Sequence, residues 1–171
     1  VTTRGGDTGE STLYSGERAR KDSLPFDVLG DLDELNSFLG LLKLAVPQEI
    51  ARVVDRVQST IITLSSLVAT EPRSELYESL KRIGEPDVLS LEEYQARLME
   101  STTIAPVFVN PGANEASARA DVCRTITRRA ERKLVNLIRE RGRADLHECQ
   151  HYVNRLSDVL FVIGRYLEQH Q

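Results

Sequence analysis

Tryptophan is absent from this 171-residue chain, methionine occurs once, cysteine twice, and aromatics make up 5%. The core must therefore be built from Leu, Ile, Val and Ala. With 28% charged residues, that mix favours helices. Cys123 and Cys149 show neither metal spacing nor a disulfide-rich pattern, which points to a reducing compartment. No apolar run approaches the ~20 residues of a membrane-crossing helix. The net charge of −4 argues against nucleic acid as the main partner. No secretory leader pattern is visible, and the start at Val1 leaves room for a removed targeting segment. The length suits one domain that buries about two thirds of its unfolded surface.

What is present is positive charge in one place. Arg124, Arg128, Arg129, Arg132 and Lys133 crowd ten residues of an acidic chain. On a helix, Arg124, Arg128 and Arg132 fall at i, i+4 and i+8, on a single face. Like charges so stacked repel unless an anion or a set of carboxylates sits opposite. Val122, Ile126, Leu134, Leu137 and Ile138 form a separate apolar stripe, so the arginine face is an addition to an ordinary core helix. Arginine's planar fork binds phosphate oxygens in pairs and keeps its charge at any working pH. A solvated surface of helix ion pairs is the alternative.

Apolar periodicity predicts helices over 27 to about 45 and over 48–70, with Pro47 and Pro72 beyond them. Leu76, Leu80 and Ile83 suggest a short helix stopped by Gly84 and Pro86. Ser90 and Glu93 have the spacing of a capping box, for a helix running to about Met99. Residues 103–109 are β-prone and precede the turn Asn110-Pro111-Gly112. A long helix is predicted over 113–141, and a last one over 144–169. Residues 1–26 read as a Gly-, Thr- and Ser-rich loop. Four long amphipathic helices and a short pair, without an internal repeat or linker, make a helical bundle.

Three further motifs stand out. In the N-terminal loop, Gly5, Gly6 and Gly9 permit positive φ and close backbone approach. Thr8, Ser11, Thr12 and Lys21 add donors suited to phosphate, although the loop lacks a Walker A pattern. Asn154, Ser157 and Asp158 are poor helix-interior residues placed within five positions, so they either satisfy one another or face a ligand. His147-Glu148-x-x-His151 fits a zinc-hydrolase pattern, but Glu168 and His170 are its sole downstream candidates for a third ligand.

Taken together, the motifs resemble the PduO-type ATP:cob(I)alamin adenosyltransferases. The matching pieces are Thr3-Arg4-Gly5-Gly6-Asp7-x-Gly9, Gly16-Glu17-Arg18-x-x-Lys21-Asp22 and Leu29-Gly30-x-x-Asp33-Glu34-Leu35-Asn36. They continue with Phe108-x-x-Pro111-Gly112, Arg124-Thr125-x-x-Arg128-Arg129-Ala130-Glu131-Arg132 and Asn154-Arg155-Leu156-Ser157-Asp158-x-Leu160-Phe161. The resemblance implies an all-α, five-helix, ferritin-like bundle over 1–171, with residues 1–26 as its nucleotide loop, assembled as a homotrimer with active sites between subunits. It implies transfer of the 5′-deoxyadenosyl group of ATP to cob(I)alamin, with release of triphosphate and Mg²⁺ assisting. A reductase and an acceptor enzyme that uses adenosylcobalamin would be partners, in the cytoplasm or in the mitochondrial matrix.

By the same resemblance, Thr3, Arg4, Gly5, Gly6, Ser11, Thr12 and Lys21 wrap the nucleotide. Arg128, Arg129, Glu131, Arg132 and Asn154 meet it from the helices. Asp33 and Arg124 form an interfacial ion pair beside the site, and Phe108 shields the lower face of the corrin. Cob(I)alamin is itself the nucleophile, which accounts for a site without a catalytic His, Ser or Cys. Thr8 stands where the family usually has Lys, Ala113-Asn114 where it has Gly and a small residue, and Asp121 where His is common. Residues 73–103 look longer than usual. These departures keep a second reading in view, a non-catalytic carrier of ATP or adenosylcobalamin on the same scaffold.

Overall fold

The structure, a computed structural model, describes residues 4–170. A hairpin of β1 (Glu10–Thr12) and β2 (Arg18–Arg20) leads into α1 (Leu24–Lys43), α2 (Gln48–Val68) and the five-residue α3 (Glu75–Ser79). Then come α4 (Glu85–Met99), α5 (Glu115–Arg141), a 3-10 turn over Ala144–Leu146, and α6 (His147–His170). α1 packs on α2 and α5, α5 packs on α6, and α6 packs on α4. Leu32, Leu35 and Leu39 of α1, Leu134 and Leu137 of α5, and Leu156 and Leu160 of α6 are fully buried. Their three- and four-residue spacing puts each set on one stripe, and each such burial contributes roughly 1.5–3 kcal/mol.

Local chemistry fixes the ends of α5. The Asn114 carboxamide oxygen accepts from the Ser117 amide at 2.8 Å, and the Ser117 hydroxyl accepts from the Asn114 amide at 3.2 Å. Asn114 Nδ2 also donates to the Leu167 carbonyl at 2.9 Å, tying this start to the end of α6. Gly142 closes the helix with φ 62°, a left-handed conformation that costs glycine little.

The structure corrects three sequence expectations. The N-terminal segment contains a β-hairpin, with Glu10 opposite Arg20 and Thr12 opposite Arg18, so it is not wholly loop. Three-residue strands are too short to display alternation. α4 begins at Glu85 rather than at Ser90. Pro86 in the first turn lacks a donor that would go unmet, and the Asp87 carboxylate accepts from the Gly84 amide at 3.0 Å. Residues 103–109 form no strand, and the Thr103 N–H and carbonyl pair instead with the Gln169 carboxamide at 2.9 and 2.8 Å. They leave Ile104, Val107, Phe108 and Val109 exposed.

The atypical 73–103 segment divides in two. Its first part is pinned to the α5–α6 corner. Tyr77 donates to Asp145, whose carboxylate also holds Arg143 at 2.9 Å, and Arg143 donates to the Leu67 carbonyl of α2 at 2.8 Å. Burial acts to raise the Asp145 carboxyl, but Arg143 and Tyr77 outweigh it and hold the group below the usual carboxylate value. Burial, then Asp145, pushes the Tyr77 phenol up to about 12. The second part is α4, which reaches the candidate site.

Candidate functional site

The positive run on α5 faces two ways. On one side its charge is already neutralised by α1. Arg129 pairs with Glu34 and lies with Nε 3.1 Å from Asp31 Oδ2, an ion pair without hydrogen-bond alignment. Lys133 Nζ reaches Asp31 Oδ1 at 3.0 Å and Asp27 Oδ1 at 3.6 Å. Asp27, Asp31 and Glu34 share a face of α1 at i, i+4 and i+7, so the helix pair zips acid against base. Arg129, which the resemblance gives to the nucleotide, therefore has a structural engagement within its own chain.

On the other side the arginines differ among themselves. Arg124 Nε donates to Asp121 Oδ1 at 3.3 Å, one turn back on the same helix. Arg128 and Arg132 are exposed and have no carboxylate partner among the described residues. Asn154 of α6 stands across from this face and donates to Glu131 Oε1 at 2.8 Å. The other two poor helix formers of α6 are also accounted for. Ser157 donates to the Asn154 carbonyl at 2.9 Å, and Asp158 accepts from Arg155 at 3.3 Å.

A groove of about 270 Å³ opens between α4, α5 and α6. Arg124 and Arg128 line it from α5, Ser157 and Phe161 from α6, and Met99 and Ile104 from the end of α4 and just beyond. It combines an apolar floor with an edge on which Arg124 and Arg128 stand alongside Asp158. A second hollow, of about 430 Å³, lies in the N-terminal segment between Thr8, Gly9 and Lys21. There Lys21 Nζ donates to the Gly6 carbonyl at 2.8 Å, and a Cβ on Gly6 would lie 2.8 Å from that nitrogen. Glycine at this position makes room for the lysine. Gly9 takes positive φ as expected, but Gly5 and Gly6 do not, and Arg4 does so with φ 57°. Ser11 and Thr12 sit on β1, half-buried and exposed respectively.

The two hollows share no lining residue, so among the described residues Thr8, Gly9 and Lys21 line one and Arg124 and Arg128 the other. Asp33 is exposed on α1, while Arg124 is engaged by Asp121. Phe108 is fully exposed. Thr3 lies outside the described residues. None of the remaining predicted site residues is buried. His147 and His151 are exposed, with His151 Nδ1 3.6 Å from Glu148, and among the described residues no three potential ligands converge on a metal position.

The family model for cobalamin adenosyltransferase matches residues 1–167. The chain belongs to that family. It is 37% identical to a corrinoid adenosyltransferase of Citrobacter freundii over 166 residues, 96% of this chain and 93% of the relative. It is 36% identical to a cobalamin adenosyltransferase of Cupriavidus metallidurans over 173 residues, 99% of this chain and 88% of the relative. Its fold superposes, with a TM-score of 0.88 and 28% identity, on a variant PduO-type ATP:corrinoid adenosyltransferase from Lactobacillus reuteri complexed with cobalamin and ATP. That match covers 98% of this chain and 93% of the other.

Against this adenosyltransferase background, the sequence departures acquire structure. Asn114 is the N-cap of α5. Asp121 is buried and bonded to both Arg124 and Arg165. The sequence reading did not single out Arg165, Met99 or Ile104. The one available signal was Arg165 itself, a lone cation within the apolar stretch that runs from Val159 to Leu167.

Proposed function

We propose that this chain transfers the 5′-deoxyadenosyl group of ATP to the cobalt of cob(I)alamin and releases triphosphate. The carrying observation is the division of charge on α5. Arg129 and Lys133 are neutralised by α1 and Arg124 by Asp121, whereas Arg128 and Arg132 stand uncompensated beside Asn154. An acidic protein that leaves two arginines without a carboxylate partner among its described residues, on one helix face, is arranged to receive an anion.

In the reaction, the electron pair of Co(I) attacks C5′. The cobalt–carbon bond forms, the C5′–O5′ bond breaks, and the bonding pair leaves on the triphosphate. The protein supplies neither nucleophile nor base. It holds the reactants in line and stabilises charge that grows on the leaving group. Arg128 and Arg132 serve the second task, and Asn154, oriented by Glu131, serves the first. Mg²⁺ enters with the nucleotide phosphates. Arg4, Gly5, Gly6, Ser11, Thr12 and Lys21, with Thr3, wrap the nucleotide.

The groove floored by Phe161, Met99 and Ile104 suits the flat apolar face of a corrin, and Phe108 closes its lower side. An apolar cover that excludes an axial ligand favours Co(I), because such a ligand stabilises the higher oxidation state. A homotrimer with sites between subunits accounts for two half-sites that stay apart in one chain, and for exposed Asp33 and Phe108. In that assembly Asp33 meets Arg124 of a neighbouring copy.

Anaerobic incubation with ATP, Mg²⁺ and chemically reduced cobalamin tests the reading. Appearance of the cobalt–carbon bond in the visible spectrum is the expected result. Nucleotide binding without that spectrum would instead establish a carrier.

A further inference from the structure

Behind the groove lies a second layer of charge that touches no substrate surface. Asp121 and Arg165 have side chains only 4% and 5% exposed, and neither lines the groove. Arg165 Nη2 donates to Asp121 Oδ2 at 2.7 Å and to Glu168 Oε1 at 2.8 Å. The other oxygen of Asp121 takes Arg124 Nε at 3.3 Å. The Arg165 guanidinium carbon lies 5.2 Å from the centre of the Phe161 ring, within cation–π range. One buried carboxylate thus grips, directly or through Arg165, two side chains that face into the groove.

We propose that Asp121 is a positioning residue for the corrinoid groove, holding Arg124 at its edge and, through Arg165, Phe161 on its floor. The inference rests on the groove being the corrinoid side of the site, as proposed above. The physical case is economy of charge. Asp121 and Arg165 are both buried, and leaving either unpaired is costly, so the bond between them holds both side chains in place. A histidine at position 121 would offer neither a fixed negative charge nor two acceptor oxygens.

The experiment uses the full chain with Asp121→Asn and the double variant Asp121→Asn/Arg165→Gln, which removes both charges of the buried pair. Steady-state kinetics are recorded with each substrate varied in turn. Cob(II)alamin binding is titrated by absorbance and melting is followed in parallel. For Asp121→Asn, KM for the reduced corrinoid and Kd for cob(II)alamin are expected to rise about tenfold, while KM for ATP stays within about twofold. The double variant is expected to recover melting temperature but not corrinoid affinity. A double variant that recovers both would reduce the pair to a folding role and overturn the proposal. So would Asp121→Asn with a lowered melting point and unchanged Kd, or an equal rise in both KM values. A wild-type chain that binds cob(II)alamin but forms no cobalt–carbon bond would overturn the enzyme reading alone. One that binds no corrinoid overturns both.

Discussion

Arg128 and Arg129 are neighbours in sequence, and their alanine variants should fail in opposite ways. Arg128 is exposed and touches no carboxylate among the described residues, so its removal orphans nothing. Melting should shift by less than about 2 °C, the scatter of an ordinary surface substitution. Turnover should fall by about 10²- to 10³-fold, the loss of about 2.7–4 kcal/mol that follows removal of one donor from a developing charge. Arg129 is different. Its loss strips Glu34 of its partner and Asp31 of one of two, leaving Asp31 with Lys133 at 3.0 Å.

Breaking a fully buried pair costs about 3–5 kcal/mol, but Arg129 is 41% exposed, so water compensates part of this and about 1–2 kcal/mol is expected. At ~2–4 °C per kcal/mol for a chain of this size, Arg129→Ala should melt about 2–8 °C lower. Its turnover should drop roughly tenfold or less. Circular-dichroism melts and anaerobic adenosylation rates on both variants decide the matter. Arg128→Ala with near-normal turnover, or with the melting loss of Arg129→Ala, would refute the division of charge on α5.

Asn154→Ala should lower turnover by about 10²-fold with melting within about 2 °C of the parent, since its one hydrogen bond to Glu131 is exposed; normal single-turnover rates would contradict its role. Tyr77→Phe should cost about 1 kcal/mol, visible as a lower urea midpoint, and leave adenosylation unchanged, because Asp145 keeps Arg143. From neutral pH, stability should be flat up to about pH 9 and then fall towards pH 12. Burial pushes the thiols of Cys123 and Cys149 from 9.0 to about 12, and the phenols of Tyr94 and Tyr152 from 10.0 to about 12. Groups raised in the folded state stabilise fully below their unfolded values and lose that contribution as pH climbs to the folded ones. A urea midpoint still flat at pH 11 would count against this.

Much of the helical frame was legible because periodicity is a local signal. Leu32, Leu35 and Leu39 repeat at helical spacing, and all three are fully buried. The misses have local causes too. β1 and β2 are each shorter than one alternation can reveal. Ser90 and Glu93 imitate a capping box, yet Pro86 and Asp87 start the helix earlier. The run 103–109 has strand-forming residues, but Thr103 bonds to the Gln169 side chain, and β structure is a pairing rather than a property of one segment.

The site was legible as a set of residues and not as an arrangement. Arg124, Arg128, Arg132 and Asn154, taken with the N-terminal glycine loop and the other motifs, mark the family by their order along the chain. It says nothing of which guanidinium is free, because that depends on which carboxylates another helix brings opposite. The sequence by itself determined the helical frame, the concentration of positive charge on one segment and the family. Only the packing of α5 against α1 and α6 decided the partners. It gave Arg129 and Lys133 to Asp27, Asp31 and Glu34, brought Arg165 to the Asp121 that already holds Arg124 within α5, and left Arg128 and Arg132 without a carboxylate among the described residues. Electrostatic pairing acts over a few ångströms, and those distances exist only once helices distant in sequence have packed together.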